Sequence, residues 1–111
     1  MTQIFTQEET MIVVNVTIES NESDITELKS AIAIMESASQ AEEGCDDYTF
    51  SIELNNPNMI RITERWHNMA ALESHFKTPH MIVFQAAMAK FPSKARQMNF
   101  YEATEVSPPG R

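Results

Sequence analysis

The sequence predicts an α+β fold of the ferredoxin-like type, β-α-β-β-α-β, with a four-stranded antiparallel sheet. Three observations predict it. Four short runs have the alternation and β-branched or aromatic content of strands, at residues 11–19, 48–54, 59–66 and 97–106. Helical periodicity fills the gap after the first run and the gap after the third. The two middle runs are joined by Asn55-Asn56-Pro57-Asn58, whose composition is that of a turn.

Residues 1–10 are polar and read as an N-terminal extension, and residues 107–111 as a C-terminal tail, around one domain at 11–106. In the first strand, Met11–Glu19, Ile12, Val14, Val16 and Ile18 share one face and Val13, Asn15 and Thr17 the other. Neither face is fully polar, so both are expected to be covered. Ser20–Ser23 offers several N-caps for a helix that runs to about Gln40, with Ile25, Leu28, Ile32 and Met35 at helical spacing. Gly44 suits a position just past its end. Tyr48–Leu54 sets Tyr48, Phe50, Ile52 and Leu54 against Thr49, Ser51 and Glu53, and Met59–Trp66 completes a hairpin. A short helix is expected over Asn68–Phe76 and a longer one over Pro79–Phe91, where Pro79 fits the first turn and Pro92 stops the helix. Gln97–Val106 is the last strand. Two helices cover one face of such a sheet, so a second copy of the chain is the simplest cover for the other, as a two-fold homodimer.

Composition narrows the function. The net charge of −8 leaves no electrostatic footprint for nucleic acid. Twelve acids and one base fall in residues 1–58, and four acids and seven bases in 59–111. This reads as two solvated faces or as charge complementarity between the halves. No apolar run reaches the length of a membrane span, and the N-terminus has neither the basic start nor the apolar core of a signal peptide, so a cytoplasmic protein is expected. Cys45, the single cysteine, precludes an intrachain disulfide and a cysteine-based metal site. With glycines only at positions 44 and 110, a phosphate-cradling loop is excluded, and a nucleotide or flavin site of the usual kind with it.

Chemistry concentrates in Glu64–His80, ERWHNMAALESHFKTPH. His75 sits near the edge of the buried stripe of its helix, where an imidazole can take or deliver a proton near neutral pH, or simply bond to backbone or solvent. His67, His75 and His80 lack two-histidine spacing on one helix turn, so no metal is expected. Trp66 reads as a core tryptophan or as a planar wall for an aromatic substrate. Glu64 shares its face and needs a partner, a nearby base or an imidazole that it orients. Asn15 interrupts an apolar strand and is either satisfied by water or polarises a substrate oxygen. Tyr48 and Tyr101 could donate to a phenolate or quinone oxygen.

The motifs Glu64-Arg65-Trp66, Ala71-Leu72-Glu73-Ser74-His75 and Thr78-Pro79-His80 resemble the antibiotic-biosynthesis monooxygenase (ABM) domain over about residues 11–106. Ala41–Tyr48 and the turn at Pro57 add to the likeness, and the bacterial quinol monooxygenase type looks closest. The resemblance implies a dimeric α/β barrel and a cofactor-free oxygenase that oxidises a quinol or polycyclic phenol with O2. In that reading His75 is the base or proton relay, Asn15 the oxygen-polarising group, Trp66 a wall, and Tyr48 and Glu64 further substrate contacts. A haem-degrading branch has tryptophan at the position of His75 and its iron-ligating histidine where this chain has Gln85, so the resemblance argues against haem. An isomerase branch shares the His and Thr-Pro-His segments. A non-catalytic dimeric module that binds an apolar small molecule is the alternative from another class. The cavity is expected between the sheet and the 68–91 helices, lined by Asn15, Trp66 and His75.

Overall fold

A computed structural model describes residues 10–110, so the expected extension at 1–10 lies outside the described residues except for Thr10. The elements are β1 (Met11–Glu19), α1 (Glu22–Gln40), β2 (Cys45–Glu53), β3 (Asn56–Trp66), α2 (Met69–His75), α3 (Pro79–Lys90) and β4 (Ala95–Ala103). The strands form one antiparallel sheet in the order β2-β3-β1-β4. This is the ferredoxin-like arrangement, with the second helical segment in two pieces.

Local chemistry sets each helix boundary. The Asn21 side chain caps α1 by accepting from the Asp24 N–H at 2.8 Å. Asn68 caps α2 by accepting from the Ala71 N–H at 2.9 Å. Thr78 caps α3 and also donates its hydroxyl to the His75 carbonyl at 2.8 Å, so one side chain joins the end of α2 to the start of α3. Pro79 occupies the first turn of α3, where a missing N–H costs nothing. Gly44 adopts a positive φ of 90°, and a Cβ there would stand 2.7 Å from the Ala71 Cβ, so only glycine lets the α1–β2 loop lie against α2.

Alternation on β1 and β3 builds the core. Ile12, Val14, Val16 and Ile18 are buried toward the helices, as are Ile60, Ile62, Glu64 and Trp66 on β3. Leu28 and Met35 of α1, Leu72 of α2, and Met81, Phe84 and Met88 of α3 close over them. Each aliphatic, methionine or phenylalanine side chain among these contributes about 1.5–3 kcal/mol on burial.

The second face of the sheet is mixed: Asn15 pairs with Thr63 and Asn99, and Thr17 with Arg61 and Gln97, while Met11, Val13, Met59 and Tyr101 are among its apolar members. Three element bounds need correction. The β2–β3 turn is tighter than Asn55–Asn58, because β3 already starts at Asn56 through a register irregularity at Ile52 and Glu53. The first strand of that hairpin begins at Cys45 and the last strand spans 95–103, each displaced from its expected start.

Candidate active site

A cavity of about 510 Å³ lies between the sheet and α3, within the size range of small-molecule sites. Val16 and Ile62 form its floor, Phe84 and Met88 its roof, and Phe76 and Met81 one end. Tyr48 and Glu64, registered opposite each other on β2 and β3, bring polar groups to the floor, while Gln85, Ser93 and Arg96 also face the space.

Glu64 is 4 % exposed in the middle strands of the sheet. Trp66, two residues along the same strand face, donates its indole N–H to Glu64 Oε1 at 2.9 Å. The second carboxylate oxygen accepts from no side chain or loop amide among the described residues. Burial pushes the Glu64 carboxyl up to about 7, against the Trp66 hydrogen bond, and the Glu42 charge adds to the rise. The group therefore exchanges its proton near neutral pH. Tyr48 is buried, and loss of hydration with the adjacent Glu64 charge pushes its hydroxyl far above its ordinary value, so it remains a donor.

Behind Tyr48 and Trp66 lies a second constellation. His75 Nδ1 and His80 Nε2 both meet Glu42 Oε2, at 2.7 and 2.6 Å. The side chains come from the loop after α1, the last residue of α2 and the first turn of α3, and the Thr78 bond to the His75 carbonyl holds the two histidines side by side. His75 is 1 % exposed and packs on Trp66 at a centroid distance of 4.6 Å and on Tyr48 at 5.3 Å. Burial lowers its pKa, although Glu42 pulls the other way. With Nδ1–H donating to Glu42, Nε2 is an unprotonated nitrogen with no hydrogen-bond partner.

Glu42, His75 and His80 have the donor types of a metal site. Their spacing is that of a hydrogen-bonded cluster. Ligands about 2.0–2.1 Å from a tetrahedral ion stand about 3.3 Å apart, and the two edges here are 2.6 and 2.7 Å.

The residues singled out in the sequence divide accordingly. Tyr48 and Glu64 line the cavity. Trp66 and His75 do not: both are fully buried in the packing beside it. Asn15 is exposed on the opposite face of the sheet, because it has the other strand parity from Val14 and Val16. The expected lining by Asn15, Trp66 and His75 is thus corrected. Gln85 borders the cavity. Tyr101 shares the open face with Val13. His67 is exposed and meets Asp46 at 2.9 Å. Burial raises Cys45 to about 11, which keeps its thiol un-ionised. Sequence reasoning missed Glu42, whose only signal is its place in the Ala41–Tyr48 segment.

Comparison with known proteins agrees with the fold. A protein of unassigned function from Synechocystis is 31% identical over 68 residues, 61% of this chain and 46% of the relative, so the chain spans about half the length of this curated relative. A structure from Deinococcus radiodurans, described as a candidate antibiotic biosynthesis monooxygenase, superposes with a TM-score of 0.80 at 24% identity, covering 87% of this chain and 96% of that one. Rv0793 from Mycobacterium tuberculosis superposes with a TM-score of 0.77 at 16% identity, over 88% and 99%. At these identities the two structures share the fold. Residues 11–87 match the family described as Antibiotic biosynthesis monooxygenase, and the chain belongs to that family.

Proposed function

We propose that the protein is a cofactor-independent monooxygenase that oxidises a quinol or polycyclic phenol with O2. The observation that carries this reading is the composition of the cavity. Its walls are mostly aliphatic, aromatic and methionine side chains, and its floor presents one carboxylate and one phenol hydroxyl. Such a space accepts a flat apolar ring and engages the oxygens of that ring.

The substrate supplies the electrons. A phenol that loses its O–H proton becomes an electron-rich phenolate able to reduce O2. One oxygen atom enters the ring and the other leaves as water, so a phenol plus O2 gives a quinone plus water. The protein has to bind the ring, take a proton and exclude solvent. Tyr48, held protonated, donates to a substrate oxygen. His75 makes no contact with the cavity and acts by supporting Trp66.

The proposal includes a homodimer. Met98, Phe100 and Tyr101 are exposed on the edge strand β4, which a second copy would cover. Sedimentation velocity at micromolar concentration should give a dimer, and a well-behaved monomer would contradict it. The function is tested by O2 uptake with a panel of quinols and polycyclic phenols, using chelator-treated protein. Turnover that saturates with quinol supports the reading. Tight ligand binding with no O2 uptake would favour a binding module instead.

A further inference from the structure

We infer that Glu64 takes the phenolic proton of the substrate and that Trp66 is the residue that positions it; this rests on the oxygenase reading above. The geometry is specific. Glu64 lines the cavity, whereas His75 is fully buried against Tyr48 and Trp66 and does not line it. The Trp66 indole occupies Oε1 of Glu64, at 2.9 Å, which leaves Oε2 as the basic atom for a ligand on the cavity floor. The indole cannot drift: Trp66 is 0 % exposed and lies against the His75 ring, which Glu42 holds in turn. The line Glu42–His75–Trp66–Glu64 therefore runs from the α1–β2 loop to the cavity and fixes one carboxylate.

In the step assigned to Glu64, the substrate O–H bond breaks and its proton goes to Glu64 Oε2. The electron pair stays on the phenolate oxygen, opposite the Tyr48 hydroxyl. Burial keeps the carboxylate basic enough for this near neutral pH, and the Trp66 N–H limits the rise. The titratable or charged groups around it are Tyr48 and Cys45 on β2, Glu42 after α1, His75 on α2 and Arg96 on β4. The part of α3 that lines the cavity, 81–89, contributes none.

Trp66 is the only tryptophan, so its indole N–H gives one identifiable signal in a 1H–15N spectrum. In the wild type that signal should titrate with a midpoint near 7, and in Glu64→Gln the transition near 7 should vanish. Saturation with 2-naphthol should move the midpoint down, because a ligand O–H that donates to the carboxylate favours its charged form. Trp66→Phe should raise the midpoint of the kcat/KM pH profile, and Glu64→Gln should lower kcat/KM by on the order of 10²–10⁴. A transition near pH 7 that persists in Glu64→Gln, or a midpoint that 2-naphthol leaves unmoved, would overturn the assignment whether or not the protein turns over quinols; any transition of the neighbouring His75 falls below 6.5 and is common to both proteins. Glu64→Gln activity within about threefold of wild type would overturn it as well, since a general base contributes far more. Absence of O2 uptake by the wild type, with the titration and the naphthol shift both present, would sink the oxygenase reading and leave the proton-accepting site standing.

Discussion

Replacing Glu64 by Gln should stabilise the protein above neutral pH while it removes activity. The carboxyl is raised from an ordinary 4.5 to about 7. Between those values the folded chain keeps a proton that the unfolded chain has released, so stability falls as pH rises through the window and levels off above about 7. A shift of this size corresponds to about 3 kcal/mol, a large part of the usual stability of a small domain. The replacement amide can still accept the Trp66 N–H and does not titrate. His75 contributes in the opposite sense: its folded pKa is lowered, so its contribution is lost as pH falls below 6.5. That effect is common to both proteins and cancels in their difference. Urea unfolding at pH 5 and pH 8, at one fixed protein concentration, should show the advantage of the variant growing by about 2–3 kcal/mol at the higher pH. An equal difference at both pH values would refute the reasoning, because it would mean that Glu64 ionises in the fold as it does in water.

Other perturbations follow from the same packing. His75→Ala should lower turnover and also cost about 2–4 kcal/mol of stability in thermal melts, because the ring is fully buried on Trp66; His67→Ala, at an exposed site, should change neither. Glu42→Gln removes the charged acceptor shared by His75 and His80 and should cost about 1–3 kcal/mol in urea unfolding. Gly44→Ala, strained by its positive φ and blocked by Ala71, should lower the melting temperature by several degrees, consistent with about 1–2 kcal/mol for the backbone alone.

A buried carboxylate is a local liability, and its retention is understandable where the chemistry needs it. The sequence reveals much of this framework. The alternation of Ile12, Val14, Val16 and Ile18 names a core face, and all four are buried. The Thr78-Pro79 break divides the second helical segment at the right place. The same alternation assigns Asn15 to the other face, but it does not say which face the helices take, and Asn15 was therefore expected in the cavity. Strand burial on β4 is also beyond the sequence, since Met98 and Phe100 alternate like core residues yet stay exposed on an edge strand. Glu42 meets His75 and His80 across 33 and 38 residues, a proximity that no local pattern encodes. The cavity depends on how far α3 stands off the sheet, which is a property of packing and not of periodicity.

In the proposed function the cavity oxidises a phenolic substrate with O2 and no added cofactor. Its most direct test is incubation of chelator-treated protein with quinols under isotopically labelled dioxygen, with product analysed by mass spectrometry beside the Glu64→Gln variant. Label in the product, stoichiometric O2 consumption and loss of both in the variant are expected. Oxidation at the uncatalysed rate across the panel, or activity that appears only when a metal or flavin is added back, would contradict it.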